Sequence, residues 1–111
     1  MMAKPIVSIV MGSDSDLEIM KGAASALSDF GIEHEIQVLS AHRSPERVTQ
    51  YCQELPQRGI QVVIAGAGGA AHLAGVIAAH AVIPVIGVPV DSSALNGLDS
   101  LLATVQMPSG I

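Results

Sequence analysis

Aromatic residues are almost absent from this sequence of 111 residues, which contains one Phe, one Tyr and no Trp. Half of the residues are nevertheless hydrophobic. Aliphatic side chains must therefore fill the core, as they do in parallel sheets that helices cover on both faces. A chain of this length forms one domain. Because its apolar content exceeds what so small a domain can readily bury, we expect subunit interfaces.

Basic residues and cysteine are also scarce, and this scarcity excludes several classes of protein. The net charge is −5 with only five Lys and Arg residues, so no basic surface for a nucleic acid is expected. The single cysteine, Cys52, excludes an internal disulfide framework. No apolar run approaches the roughly 20 residues of a membrane span, and no signal-peptide pattern is found. The sequence predicts a cytoplasmic protein without a nucleic-acid or membrane partner.

Strand-like and helix-like segments alternate along the chain with a period of about 25 residues. Strands are predicted at 6–10, 35–39, 62–65 and 85–88, and helices at 17–30, 72–80 and 98–105. Ser44 and Pro45 open a further helix, and 66–71 is predicted to be a glycine-rich loop. Four strand–helix alternations indicate right-handed crossovers and a parallel sheet.

Polar, glycine-rich and ionisable residues follow each of the first three predicted strands. The loops are Gly12-Ser13-Asp14-Ser15-Asp16, Ser40-Ala41-His42-Arg43 and Gly66-Ala67-Gly68-Gly69-Ala70-Ala71-His72. Because ligands of parallel sheets bind beyond the carboxyl ends of the strands, the three loops are predicted to meet at one site. This convergence is the main functional signal in the sequence.

Each loop taken alone allows a simpler interpretation. Asp14 and Ser15 are common helix caps whether or not a ligand is present. His42 and Arg43 are compatible with an ordinary surface loop. Two other candidate loops lie next to this one, however, and they favour a functional site. The Arg43 guanidinium suits a phosphate, and an imidazole such as that of His42 changes charge near neutral pH. For His72, a packing role and a catalytic role remain equally open.

The third loop also contains a Gly-x-Gly-x-x-Ala pattern between a strand and a helix, which is typical of dinucleotide-binding folds. Asp91, at the end of the next strand, would then bind a ribose. The intervening helix is short, Pro89 disturbs the strand, and small residues also serve tight helix–sheet packing. A nicotinamide-dependent dehydrogenase is therefore a less favoured alternative. A receiver-type signalling domain is disfavoured because the third strand ends without the aspartate that it requires.

Five motifs, in order and with natural spacing, resemble the class I N5-carboxyaminoimidazole ribonucleotide mutases, the PurE family, also described as the catalytic subunit of phosphoribosylaminoimidazole carboxylase. The motifs are Gly12-Ser13-Asp14-Ser15-Asp16, Ser40-Ala41-His42-Arg43-x-Pro45, Ala65-Gly66-Ala67-Gly68-Gly69-Ala70-Ala71-His72-Leu73, Gly87-Val88-Pro89-Val90 and Asp99-Ser100-Leu101-Leu102-x-x-Val105-Gln106-Met107-Pro108-x-Gly110. The resemblance spans essentially the whole chain. Ala74, where many members carry proline, is a small departure. A larger departure is expected at the C-terminal end. After the Pro-x-Gly turn, Ile111 would begin a fifth strand, so the mutase domain of residues 1–111 is expected to lack its C-terminal strand and helices.

The resemblance implies a three-layer α/β/α subunit with a parallel, flavodoxin-like sheet, assembled into a homo-octamer with active sites at subunit contacts. It implies an isomerase of purine biosynthesis that moves a carboxylate from the exocyclic nitrogen of an imidazole ribonucleotide to ring carbon C4, without metal or cofactor. His42 would be the general acid and base. The residues implied to bind or surround the substrate are Ser13, Asp16, Arg43, Ser40, Ala41, Gly68 and Ala70. The nearest alternative is a carboxylase that uses carbon dioxide directly on aminoimidazole ribonucleotide.

Overall fold

A computed structural model describes residues 4–91 and 94–111 of the chain. The elements follow in the order β1 (Val7–Met11), a 3₁₀ turn (Asp14–Asp16), α1 (Leu17–Asp29), β2 (His34–Val38), α2 (Pro45–Glu54), β3 (Val62–Gly68), α3 (Leu73–His80), β4 (Val85–Val90) and α4 (Leu98–Val105). The four strands are all parallel and lie in the order β2-β1-β3-β4. The predicted parallel, flavodoxin-like α/β sheet is confirmed.

Helices cover both faces of the sheet because successive strand side chains point to opposite sides. On β1, Val10 packs in a cluster that contains the buried residues of α2 and α3. Its neighbours Ile9 and Met11 pack instead against Met20 of α1. These side chains are almost completely buried and nearly all aliphatic. The three-layer arrangement and the aliphatic core therefore agree with the sequence-based expectation.

The third and fourth strands are longer than the sequence predicted. Residues 66–68, expected to begin a loop, continue β3 and pair with the last residues of β4. A Cβ atom at Gly66 would collide with the Met20 thioether, so this glycine permits close packing between the strand and α1. Pro89, expected to disturb the fourth strand, lies within it. It is tolerated because β4 is an edge strand of the described sheet, where a missing N–H breaks no ladder.

A buried hydrogen-bond network joins α2 to the amino-terminal part of the sheet, away from the predicted site. The Tyr51 hydroxyl donates to Ser8 Oγ at 2.6 Å, and Ser8 Oγ donates to Glu35 Oε2 at 2.7 Å. Arg58 forms an ion pair with the same carboxylate. Ser8 is fully buried, so the network satisfies a hydroxyl group that would otherwise be costly to place there.

This network predicts a loss of stability at alkaline pH. Burial raises the pKa of Tyr51 to about 12, against about 10 in an unfolded chain. The folded state keeps the phenolic proton to higher pH than the unfolded chain does. The stabilisation from the protonated phenol is therefore complete below pH 10 and is lost as the pH rises from about 10 to 12. This loss lowers the free energy of unfolding by at most about 2–3 kcal/mol. Urea unfolding at several pH values should show this decrease for the wild type. Tyr51→Phe should lose about 1 kcal/mol at pH 8 and show a flatter alkaline decrease; equal slopes would contradict the assignment.

Candidate active site

A cleft of about 360 Å³ opens at the carboxyl ends of all four strands. The chain passes from β1 to β2 on one side of the sheet and then crosses to β3 on the other side. Loops that leave the two central strands diverge at such a switch point, which is where parallel α/β sheets bind ligands. The lining residues are Gly12, Ser13, Ser15, Asp16, Ser40, Ala41, His42, Ala67, Gly68, Gly69, Ala70, His72, Leu73 and Asp91.

The loop after β1 brings Ser13 and Asp16 to the cleft. Ser13 caps the 3₁₀ turn, since its side chain accepts a hydrogen bond from the Ser15 amide at 3.3 Å. The Asp16 amide donates to the Ser13 carbonyl at 3.1 Å. Burial of Asp16 raises the pKa of its carboxyl, and nearby Asp14 acts in the same direction. The capping side chain is thus that of Ser13, not that of Asp14 or Ser15, which the sequence suggested as caps. The same turn also presents polar groups to the cleft.

The loop after β2 contributes Ser40, Ala41 and His42 to the cleft. Ser40 Oγ accepts a hydrogen bond from the Arg43 amide at 3.1 Å, which closes a turn just before α2. Arg43 itself is exposed and does not line the cleft. This residue lines a separate surface depression together with Ser44 and the first residues of α2. The structure therefore brings together three of the four predicted residues of this loop and leaves Arg43 on the outside.

The glycine-rich loop after β3 forms the opposite wall. Gly68 and Ala70 both line the cleft, as expected. Between them, Gly69 has a φ of +61°, a left-handed conformation that side chains disfavour. The Ala71 amide donates to the Gly69 carbonyl at 2.9 Å, and the His72 amide donates to the Ala70 carbonyl at 3.0 Å. This tight backbone path places His72 immediately before α3.

Two histidines from different loops touch in the cleft. His42 Nε2 lies 2.8 Å from His72 Nδ1, and the rings meet edge to face with centroids 5.0 Å apart. One facing nitrogen must carry hydrogen while the other accepts it. The sequence left the role of His72 open and gave no sign of this contact, because β1 separates the two parent strands. The available signal was that each histidine lies in a loop that follows a strand.

Asp91 also lines the cleft, from the end of β4. The sequence singled it out only within the dehydrogenase alternative. Every strand therefore contributes to the site.

No group of three or more His, Cys, Asp and Glu side chains suited to hold a metal ion occurs within residues 4–91 and 94–111. Over the same residues, no helix is long and apolar enough to cross a membrane.

The fold and the cleft together define a flavodoxin-like α/β protein with a histidine-bearing cleft at the carboxyl end of a parallel sheet. A protein-family model described as AIR carboxylase matches residues 6–111. The chain belongs to this family, and the family resemblance inferred from the five motifs is confirmed.

Individual relatives agree with this assignment. N5-carboxyaminoimidazole ribonucleotide mutase from Pyrococcus horikoshii is 64% identical over 108 residues, which are 97% of this chain and 61% of that protein. Phosphoribosylaminoimidazole carboxylase from Saccharomyces cerevisiae is 54% identical over 110 residues, 99% of this chain and 19% of that protein. The crystal structure of Treponema denticola PurE matches with a TM-score of 0.87 at 33% identity, over 97% of this chain and 68% of that one. This chain thus spans about three fifths of the length of the mutase that it matches.

Proposed function

We propose that this chain acts as an N5-carboxyaminoimidazole ribonucleotide mutase in de novo purine biosynthesis. The reaction moves the carboxylate of the substrate from the exocyclic nitrogen to C4 and gives 4-carboxy-5-aminoimidazole ribonucleotide. The observation that carries the proposal is the contact between His42 and His72 in a cleft whose third loop is otherwise small and apolar. The name of the Pyrococcus horikoshii relative, which aligns over nearly the whole chain, supports it.

The first half of the reaction needs a proton donor. The His42 imidazolium donates a proton to the carbamate nitrogen of the substrate. The bond between this nitrogen and the carboxylate carbon then breaks, its electron pair stays on nitrogen, and neutral carbon dioxide is released. Imidazole suits this step because it can act as a general acid in one step and as a general base in another.

The second half needs a confined space and a base. Carbon dioxide must stay beside the ring until C4 attacks it, and a wall of Gly68, Ala70 and Ala41 leaves room for a small neutral molecule while limiting water. C4 forms the new carbon–carbon bond, and neutral His42 then accepts the C4 proton. One proton is given and one is recovered, so the cycle requires neither metal nor cofactor.

His72 supports this chemistry by holding the His42 ring. A partner on Nε2 fixes both the orientation and the hydrogen position of the catalytic imidazole, in the way that a third group orients the base of a catalytic triad. We therefore assign His42 to proton transfer and His72 to its positioning.

Substrate recognition is assigned to the first two loops. Ser13, Asp16 and Ser40 present polar groups along the side of the cleft that faces the glycine-rich wall. The buried Asp16 carboxylate is suited to accept hydrogen bonds from ribose hydroxyls. Arg43 is proposed to reach the 5′-phosphate from the rim, since its guanidinium suits a phosphate and its backbone is anchored to Ser40.

The Asp16 assignment predicts opposite effects on binding and on stability. Asp16→Asn should weaken substrate binding about 10- to 100-fold, because hydrogen bonds to a charged group contribute about 1.5–3 kcal/mol. The same change should leave stability unchanged or slightly higher near neutral pH, since burial disfavours the charged carboxylate. Calorimetric titration with the nucleotide and thermal unfolding measure the two effects. Asp14→Asn, on the exposed side of the same turn, is the matched control and should bind normally.

An assay with two substrates separates the mutase from its alternatives. The chain should convert N5-carboxyaminoimidazole ribonucleotide directly and show much lower activity with aminoimidazole ribonucleotide plus bicarbonate. A preference for the second mixture would instead identify a carboxylase that uses carbon dioxide directly on aminoimidazole ribonucleotide. A rise in melting temperature with NAD would favour the dehydrogenase.

We further propose that the protein is cytoplasmic and forms a homo-oligomer, an octamer by its resemblance to the family. In α4, Leu98, Leu101, Leu102 and Val105 recur at helical spacing, and each is more than 40% exposed in the single chain. Such an apolar stripe favours association with a partner. Sedimentation velocity should show a species several times the monomer mass, and Leu101→Glu should shift it toward smaller species. A wild-type monomer at micromolar concentration would contradict the proposal.

A further inference from the structure

A buried hydroxyl outside the cleft connects three parts of the structure. Ser100, in α4, is fully buried and does not line the cleft. Its Oγ donates to the Val90 carbonyl at 2.6 Å and accepts a hydrogen bond from the Gly69 amide at 2.8 Å. A serine hydroxyl can do both at once because it is a donor and an acceptor. The helix, the end of β4 and the glycine-rich loop are thus joined through one oxygen atom.

The glycine-rich loop is hydrogen-bonded to Ser100 at Gly69, where its backbone is least regular. Gly69 is the first residue after β3 and has a left-handed φ of +61°. A Cβ atom on the preceding Gly68 would lie 3.5 Å from the Val90 carbonyl oxygen and 4.0 Å from Ser100 Oγ, so the loop lies close against the end of β4. The Ser100 hydroxyl therefore fixes the Gly69 peptide where the backbone turns away from the sheet.

The path from this peptide to the histidine pair is short. The Gly69 carbonyl accepts the Ala71 amide, and the Ala70 carbonyl accepts the His72 amide. His72 then contacts His42 at 2.8 Å. Because His72 is only three positions after Gly69, a shift of the Gly69 peptide would also displace the ring that orients the catalytic imidazole.

We propose that Ser100 is a positioning residue of the active site, which fixes the glycine-rich loop and thereby sets His72 against His42. The proposal rests on the function proposed above. Because Ser100 does not line the cleft, its loss should affect the alignment of reacting groups more than substrate binding. The polar groups of the first two loops remain in place in such a variant.

Ser100→Ala and the control Thr104→Val test this. Thr104 lies one turn later in α4, and its hydroxyl donates to the Ser100 carbonyl rather than to the loop. In Ser100→Ala, kcat should fall about 10- to 100-fold, as small misalignments commonly cause, while KM changes less than about threefold. Amide hydrogen exchange at Gly69, followed by NMR, should accelerate at least about tenfold. Thr104→Val should change neither kcat nor Gly69 exchange.

Several outcomes would overturn the proposal. Unchanged kcat with faster Gly69 exchange would make Ser100 a structural residue only, and unchanged exchange would show that its hydroxyl does not hold the loop. If Ser100→Ala fails to fold, Ser100→Cys replaces it under the same criteria, because a thiol fills the space but hydrogen-bonds weakly. A wild-type chain without mutase turnover would refute the proposed function, and Gly69 exchange would still decide whether Ser100 fixes the loop.

Discussion

Replacing His42 by asparagine is expected to lower mutase turnover at least about 10²–10⁴-fold, the usual cost of losing a general acid–base group. Asparagine is similar in size and can still form hydrogen bonds, so the fold and nucleotide binding should persist. It cannot carry a proton from one atom of the substrate to another. Because the same ring acts in both halves of the reaction, the loss should be at the upper end of this range or beyond it.

Steady-state mutase assays and calorimetric nucleotide titration, carried out on one preparation, measure the two properties separately. His34→Asn is a suitable control, because this histidine lies in β2 and its ring contacts the Ile32 carbonyl rather than the cleft. It should keep wild-type turnover. If His42→Asn retains a tenth or more of the wild-type rate, His42 does not transfer the proton and His72 becomes the candidate.

His72→Ala is expected to lower kcat about 10- to 100-fold, the range observed when a group that orients a functional side chain is removed. The His42 ring would lose its partner at 2.8 Å and would sample orientations that do not face the substrate. The pH–rate profile should also change, because the ring that exchanges protons with the substrate loses its hydrogen-bond partner. His72→Asn, which retains a hydrogen-bonding side chain, should recover part of the rate.

His80→Ala is the matched control for this variant. His80 is the exposed last residue of α3, the helix that His72 immediately precedes, and its ring contacts the Val76 carbonyl one turn earlier. Its loss should change neither kcat nor the pH profile. A His72→Ala enzyme with wild-type kcat and an unaltered profile would show that the ring contact has no role in turnover.

The sequence was sufficient to predict most of the fold because its local signals agree with one another. Aliphatic runs alternate with helical spacing, and Ser44 with Pro45 opens α2 where the structure begins it. The convergence of Ser13, Asp16 and His42 followed from one rule, that parallel strands end at the same edge. These predictions required only local patterns along the sequence and the inference that the strands are parallel.

The features that escaped prediction depend on contacts between distant residues. Gly66 was assigned to a loop because glycine is common there, whereas its place in β3 is explained by Met20. Arg43 does not line the cleft but a separate depression with the first residues of α2, and its neighbourhood to His42 in the sequence did not indicate this. Ser100 lies 31 residues from the amide that it binds, and nothing near it in the sequence marks that partner.

The close approach of Gly66 to Met20 also limits how the sequence can diverge. Met20 is almost fully buried among aliphatic side chains, so a methyl group on the strand would require its thioether to adopt another rotamer within a packed cluster. Alanine at position 66 is therefore expected to be accommodated best together with a smaller or differently shaped residue at position 20. The two positions are 46 apart in the sequence, yet a change at either one alters which residues the other accepts.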